Sequence, residues 1–529
     1  MEEKKDFKEL NLNRKKTVLL GTISNYGATF ISIIVGLISV PVGLKYFGPI
    51  LYGIWIIIGS ILAYLRISDL GISLSTLTLI SQATKPSHQR IILRRSLELF
   101  LIISISSISI IFIINYFFPG WVNLLGKIPS DLKEEALRAT FWIGILTLVQ
   151  LPLNAFSSAF SGLQQVHWNK VYSAFASILA LIALILTILV SGNLVSLAIF
   201  TGLGSILVKI ISGIHLFIAN PKIRPQLTEK AIDAPPTGYI FTSGMRFLIL
   251  QIAVLIIMNT DNLVISHYLG PIMVTSYAVT FRLFWMGITV TNAVTQVLWP
   301  MYGQALGLGD WEWVKKTYNR CVSILVIIGG LIWIGGIIFS KIIINLWVGP
   351  IGYGGLIVAF ALGGYAYLSS FGGSNASLIN GLNPKNIVVV FGLIEAAINL
   401  GISLLLIKPL GIGGVALGTF IASLAVNSWF GPLYIQRQTQ KKVNLKIQPI
   451  LKHTFFAVIP GVVFALIINL YLFNELMQII FGVIIIVLYL ILSWKIMPVD
   501  LRSFSKNIFI EVYNHSRAFL GKNNKVYQI

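Results

Sequence analysis

Apolar stretches long enough to cross a bilayer recur along almost the whole of this 529-residue chain. About 20 consecutive apolar residues are enough for a helix to span the hydrocarbon core. Only 11% of the residues are charged, whereas a soluble chain carries roughly 25%. The sequence therefore predicts an all-α polytopic membrane protein. The first apolar run follows a charged leader and is interpreted as a retained helix, because it is too long for a cleavable signal.

The apolar stretches divide into about 14 transmembrane helices. The helices are expected near residues 17–44, 51–81, 91–118, 140–165, 170–191, 194–219, 239–266, 274–304, 320–346, 354–381, 386–407, 412–436, 452–473 and 475–496. The predicted domains are a cytoplasmic leader at 1–16, an N-lobe of six helices at 17–219, a cytoplasmic linker at 220–238, a C-lobe of six helices at 239–436, two further helices at 452–496 and a cytoplasmic tail at 497–529.

The basic residues predict the orientation of these helices. With the N-terminus in the cytoplasm, 29 of the 39 lysines and arginines fall on inner segments, six on outer ends and four within spans. Cytoplasmic loops carry such an excess, so both termini are expected in the cytoplasm. The same loops explain most of the net charge of +21, and contact with anionic lipids accounts for them without nucleic acid.

The chain also repeats itself. YFGPI at 46–50 recurs as YLGPI at 268–272, and LVSLAIFTGLGS at 194–205 resembles IGGVALGTFIAS at 412–423. The paired segments fall at the same helix ordinal in each half, which predicts that helices 1–6 and 7–12 are duplicates. Because six is even, both halves face the same way, and their pseudo-two-fold axis is expected along the membrane normal.

Polar residues inside the predicted helices indicate a cavity that admits water and substrate. Arg66, Arg246 and Arg282 lie on predicted helices 2, 7 and 8, and a charge at the bilayer centre costs about 3 kcal/mol or more. Arginine in such a place suits an anionic, phosphate-like group, because it binds bidentately. Polar side chains at helical spacing complete the predicted substrate-binding set with Asn25, Gln150, Asn154, Asn292 and Gln296.

Structural explanations of these residues stay open. Small and polar residues at such spacing also occur where membrane helices pack closely, and Arg66 with Asp69 is compatible with a self-neutralising pair three residues apart. Asp69, Asp261 and Glu395 are candidates either to bind a coupling cation or to balance the arginines. Lys209 lies near the inner surface, which its long side chain can reach.

Four segments together resemble one known family. VPVGLKYFGPILYGIW, TDNLVISHYLG, LWPMYGQALGLGDW and INGLNPKN are similar to the polysaccharide flippases of the MOP superfamily, the Wzx-type exporters of lipid-linked oligosaccharides. These are relatives of the MATE multidrug exporters and of the lipid II flippase. The resemblance implies two pseudo-symmetric six-helix bundles in a V, a cationic lumen, and alternating access that exports an undecaprenyl-diphosphate-linked glycan.

The resemblance also implies the setting of this activity. The protein is expected in the bacterial cytoplasmic membrane, in contact with membrane lipids, a polysaccharide polymerase and a chain-length regulator. It implies Na⁺ or H⁺ as the coupling ion and no other cofactor. The single cysteine, Cys321, excludes an internal disulfide, and no metal site is predicted.

Two other classes of function remain open. A polysaccharide polymerase or ligase usually presents a substantial outer loop, whereas the longest outer loop here, 119–139, is too short for a catalytic domain. The chain is therefore not expected to be an enzyme. A MATE-like exporter of drugs or small cations should have an acidic cavity, whereas the three arginines within the spans here already balance Asp69, Asp261 and Glu395, and Lys209 adds a further positive charge.

Overall fold

The chain is helical throughout the part that its computed structural model describes, namely residues 2–83, 85–118, 121, 126–226, 235–382, 387–444, 447–472 and 474–496. No β-strand occurs in those ranges. Eleven of the described helices are long and apolar enough to cross a membrane, or 12 if a pair bent by 42° counts as one further span. The predicted all-α polytopic class is confirmed, whereas the count of 14 helices stays a prediction.

The helices follow one another with short connections. They are α1 (Glu2–Leu65), α2 (Ile72–Gln82), α3 (Pro86–Phe117), α4 (Lys133–Val149), α5 (Asn154–Gly162), α6 (Val166–Leu189), α7 (Leu194–Ala219), α8 (Thr237–Leu269), α9 (Pro271–Gly307), α10 (Trp311–Val348), α11 (Leu356–Gly381), α12 (Ile387–Leu410), α13 (Ile412–Asn427), α14 (Phe430–Gln438), α15 (Ile447–His453), α16 (Ile459–Tyr471) and α17 (Glu475–Ile496). A π-helical turn at Thr454–Val458 joins α15 to α16.

The repeated motif YFGPI/YLGPI forms the same kind of turn in both places. Gly48 interrupts α1 with φ 71° and ψ 173°, and Gly270 separates α8 from α9 with φ 87° and ψ 176°. Glycine adopts a positive φ without the strain that a side chain brings. A proline follows each glycine where a helix starts, and its missing N–H would have no partner there in any case. Gly48 thus divides α1 into the first predicted helix and the beginning of the second.

The second predicted helix is not continuous. After Leu65 the backbone forms a 3₁₀ segment at Arg66–Asp69, and Leu70 and Gly71 then adopt left-handed conformations before α2 begins. The prediction of one unbroken helix over 51–81 is therefore wrong. Non-helical backbone within a membrane is tolerated where it lines a cavity, and a 3₁₀ stretch in mid-helix often marks a functional hinge.

The fourth predicted helix is also broken. The span predicted over 140–165 is divided into α4 and α5, which are bent by 42° at a break that contains Pro152. Proline lacks the N–H that would continue the helical ladder. The break places Gln150 directly after α4 and makes Asn154 the first residue of α5.

Contacts divide the chain into two compact units. The first unit comprises Met1–Thr289, Ile343–Ala361 and Lys385–Val426, and the second comprises Val290–Ile342, Leu362–Pro384 and Asn427–Ile529. A buried cluster that includes Phe100, Phe160 and Leu216 forms part of the core of the first unit. The predicted lobe boundaries stay a prediction. Part of the predicted linker and the whole tail at 497–529 lie outside the described residues.

Candidate functional site

The first unit contains a cavity of about 810 Å³ at the break in the second predicted helix. We call it the Arg66 cavity. Its walls come from α1, α4, α5, α6, α7 and α8 and from the break itself, and Leu62, Ile143 and Leu255 are among its apolar residues. The polar side chains on its surface are Arg66, Asp69, Thr147, Gln150, Asn154, Thr201, Ser205, Lys209 and Gln251.

Hydrogen bonds hold the amide groups of the Arg66 cavity in place. Lys209 Nζ donates to Asn154 Oδ1 at 2.6 Å, and Ser205 Oγ donates to Gln150 Oε1 at 2.8 Å. Lys209 therefore belongs to this cavity, and its observed contact gives no support to the alternative that its side chain extends to the inner surface. An intramembrane charge is by default a functional candidate, and this signal was present in the sequence at Lys209.

Asp69 has a local structural partner. Its Oδ1 accepts a hydrogen bond of 3.0 Å from the Ser73 backbone N–H, in the first turn of α2, where N–H groups lack helical partners. Among the described residues, no ion pair joins Asp69 to Arg66. The observed geometry therefore does not support the self-neutralising pair that the sequence left open.

A second cavity of the first unit, of about 790 Å³, contains Arg282. We call it the Arg282 cavity. Its residues come from α1, α6, α8 and α9, and Lys170 supplies a further positive charge. The described residues that line it include no aspartate or glutamate. The polar side chains besides the two cations are Asn25, Thr29, Ser32, Tyr52, Ser173, Trp285 and Thr289.

α1 makes room for the arginine of this cavity. A Cβ atom at Gly36 would overlap the Arg282 guanidinium, so a glycine at this position lets the side chain lie directly against the helix. Asn25, Thr29 and Ser32 precede Gly36 at helical spacing and line the same cavity. These polar residues of the first predicted helix thus line a cavity. From the sequence, close packing against another helix is an equally good explanation of their spacing.

Asp261 lies outside both linings in a buried polar cluster of the first unit. Its Oδ2 accepts from Tyr277 Oη at 2.5 Å and from Thr419 Oγ1 at 2.8 Å, and Asn399 Nδ2 donates to Thr419 Oγ1 at 2.9 Å. Two buried oxygens, Asp261 Oδ1 and Asn399 Oδ1, have no hydrogen-bond partner. Glu395, one helical turn before Asn399 on α12, is also buried.

The predicted site residues are thus distributed over several places. Arg66, Asp69, Gln150 and Asn154 line one cavity, and Asn25 and Arg282 line the other. Asp261 is in the hydroxyl-bonded cluster. Asn292 and Gln296 belong to the second unit, and the side chain of Arg246 lies outside the described residues. That the arginines serve one substrate in succession stays a prediction.

Some polar residues of these sites carry no distinctive sequence signal. Tyr277 and Thr419 are single hydroxyl residues in apolar helices, and such residues are common at helix contacts. The charge distribution along the sequence assigns Lys170 to an inner segment of the predicted topology. Only the tertiary arrangement brings it to the Arg282 cavity.

Sequence comparisons identify distant relatives. Residues 248–352 match the MatE family model. A "Putative O-antigen transporter" of Salmonella typhimurium is 26% identical over 37% of this chain and 45% of its own length, so that alignment spans less than half of the relative. A protein of the same description from Salmonella typhi is 21% identical over 82% of this chain and 99% of its own length.

Solved structures show a wider similarity. The lipid II flippase MurJ in an inward-closed conformation aligns over 89% of this chain and 99% of its own, with a TM-score of 0.68 and 19% identity. An inward-facing multidrug resistance MATE family transporter of the MOP superfamily aligns over 79% of this chain and 99% of its own, with a TM-score of 0.60 and 16% identity. The chain has the MOP-superfamily fold. The resemblance to the MOP superfamily is confirmed, and the chain is a multi-pass membrane protein with the fold of MOP transporters.

Proposed function

We propose that this MOP-fold protein flips an undecaprenyl-diphosphate-linked oligosaccharide across the bacterial cytoplasmic membrane for surface polysaccharide synthesis. The observation that carries the proposal is the Arg282 cavity, which presents two cations and no acidic residue among its described lining. The O-antigen transporter description of the two Salmonella relatives supports the same class of substrate. A polysaccharide polymerase and a chain-length regulator are the expected partners.

The chemistry of the Arg282 cavity favours a phosphorylated headgroup. A guanidinium donates two parallel hydrogen bonds to phosphate oxygens, which fixes orientation as well as charge. Low-dielectric walls strengthen the attraction and concentrate anions inside the cavity. The Arg66 cavity adds two further cations and one carboxylate. In the proposed cycle, alternating access exposes the headgroup to each side in turn while the isoprenoid tail stays in the bilayer.

The Asp261 cluster is the proposed site of the coupling cation, Na⁺ or H⁺. Two buried oxygens without partners, on Asp261 and Asn399, match a need for a positive ligand, since buried polar atoms are normally hydrogen-bonded. Hard monovalent cations bind carboxylate, amide and hydroxyl oxygens, and Thr419 supplies a hydroxyl. A bound cation would neutralise Asp261, and its gradient would supply the free energy for transport.

The proposal is tested with purified protein in proteoliposomes that contain a fluorescent, short-chain lipid-linked oligosaccharide. A membrane-impermeant quencher reports how much of the glycan has crossed. Arg282→Ala is expected to slow flipping at least tenfold, while Arg282→Lys keeps a fraction, because it retains charge but loses the bidentate geometry. Arg138→Ala is the matched control, since its side chain is 64% exposed in a surface pair with Glu134.

Two results would contradict the proposal. Flipping by Arg282→Ala at the wild-type rate would show that the cavity cation does not bind the headgroup. Transport of a cationic dye such as ethidium by the same proteoliposomes, without any flipping of the glycan, would instead identify a MATE-like exporter.

A further inference from the structure

The Arg282 cavity is lined by the open end of an aromatic stack in addition to its cations. Tyr277, Phe281 and Trp285 follow one another at single helical turns on α9. The Tyr277 and Phe281 rings are 6.2 Å apart between centroids with planes at 17°, and the Phe281 and Trp285 rings are 5.7 Å apart with planes at 20°. The three rings therefore form one nearly parallel, stacked series along the helix.

The series is anchored at one end and open at the other. Tyr277 is only 2% exposed, and its hydroxyl donates to Asp261. Phe281 and Trp285 line the cavity, and Trp285 is 38% exposed. Rings held by stacking and by a buried hydrogen bond lose little conformational entropy when a ligand packs against them. The exposed indole is thus a preorganised apolar face.

Polar groups surround this face in the same cavity. Arg282 lies three residues before Trp285 on α9, and α1 contributes Asn25, Thr29 and Ser32. A hexopyranose has the complementary surface, because its C–H groups form a weakly positive apolar face while its hydroxyls point outward around the ring. The negative face of an aromatic ring attracts such C–H groups, and amides and hydroxyls bind the outward hydroxyls.

We infer that Trp285, backed by the stacked Phe281, forms a platform on which the sugar next to the diphosphate stacks, while the adjacent Arg282 binds the diphosphate itself. This inference rests on the proposed function and adds to it a subsite for the glycan. The isoprenoid tail is the competing occupant of an apolar face. An alkyl chain there would remove water from the Arg282 guanidinium and the Lys170 ammonium in the same cavity without offering them an acceptor, and burying a charge without a partner is costly.

The test measures binding of two probes to the full chain in nanodiscs. One probe is farnesyl diphosphate, and the other is farnesyl diphosphate that carries a single N-acetylglucosamine. The wild type is expected to bind the sugar-bearing probe about fivefold more tightly, because one aromatic contact contributes an affinity gain of this order. Trp285→Ala should abolish this increment and leave the affinity for farnesyl diphosphate unchanged, whereas Trp285→Phe should keep most of it.

Trp142→Ala is the matched control, because Trp142 is 45% exposed and lines neither cavity. It should retain the increment. Arg282→Gln should weaken both probes equally. Retained affinity for farnesyl diphosphate shows that Trp285→Ala is folded.

The failures of the two proposals are distinguishable. An increment that survives in Trp285→Ala, or that is absent from a wild type that binds farnesyl diphosphate, overturns the platform and leaves the diphosphate site standing. If Trp285→Ala lowers the affinity for both probes equally, the Trp285 face binds the lipid tail, and the platform is overturned. Failure of the wild type to bind either probe overturns the proposed function and the platform with it.

Discussion

At the scale of single residues, the intramembrane charges of this chain are placed by specific neighbours. Lys209 binds the amide of Asn154, Asp69 accepts from a free backbone N–H of α2, and Arg282 occupies the space that Gly36 leaves. Each of these contacts reduces the free-energy cost of a charge or polar group away from bulk water. Two of them can be tested by substitutions that change one atom group only.

Gly36→Ala is expected to slow flipping severalfold, because the new methyl group would displace the Arg282 guanidinium from its position in the cavity. The measurement is the quencher assay in proteoliposomes, at matched protein amounts. Gly27→Ala on the same helix is the control, since a Cβ there has no neighbour within 4 Å. Alanine favours the helix equally at both positions, so equal rates for the two variants would contradict the proposed contact.

Asp69 allows the charge to be separated from the backbone hydrogen bond. Asp69→Ala removes the acceptor of the Ser73 N–H and should lower the free energy of unfolding by about 1 kcal/mol, as loss of a helix cap does. Asp69→Asn keeps an acceptor and should keep the thermal unfolding temperature while it slows flipping. An asparagine variant as unstable as the alanine variant would show that the stability comes from the carboxylate charge and not from the acceptor oxygen alone.

At the scale of elements, helices of the first unit are interrupted where their polar side chains lie. The 3₁₀ segment at Arg66–Asp69 interrupts the second predicted helix, and the break with Pro152 separates α4 from α5. Both breaks contribute to the Arg66 cavity. By contrast, α8, α12 and α13 continue unbroken past Asp261, Asn399 and Thr419, so regular helices position the proposed cation site.

The cation site predicts a stabilisation that depends on the ion. In purified protein, replacing N-methylglucamine by Na⁺ should raise the thermal unfolding temperature, with a gain of roughly 1.4 kcal/mol when Na⁺ is about ten times its dissociation constant. Asp261→Asn and Thr419→Val should remove the effect, because each loses an oxygen ligand. Thr419→Ser is the control and should keep it.

If Na⁺ has no such effect and flipping instead follows an imposed pH gradient, the coupling ion is H⁺. An Asp261→Asn protein whose flipping depends on either gradient as the wild type does would exclude Asp261 from coupling.

At the scale of the whole molecule, the basic residues predict how the helices are oriented across the membrane. The division of basic residues places the loop at 119–139 outside and the linker at 220–238 in the cytoplasm. The prediction is tested with Lys133→Cys and Lys222→Cys in a Cys321→Ser background. A membrane-impermeant maleimide applied to intact cells should label position 133 alone, and labelling of position 222 instead would invert the topology.

The fold class, two of the turns and two of the candidate site residues can be predicted from the sequence alone. The length and apolarity of the spans predict an all-helical membrane protein, because backbone groups in lipid need partners within their own segment. The motifs YFGPI and YLGPI mark two equivalent turns, since their glycines take a positive φ and their prolines begin helices. Arg66 and Arg282 are candidates because lipid disfavours charge, and each lines a cavity.

Tertiary structure decided how those residues are grouped. Hydropathy does not show whether a helix breaks at Arg66, and spacing along one helix does not show which residues of other helices face it. Tyr277, Asn399 and Thr419 lie on three different helices and meet Asp261 only when these pack together. Lys170 reaches the Arg282 cavity for the same reason. Such contacts join residues far apart in the chain, and the local preferences of each segment carry no information about them.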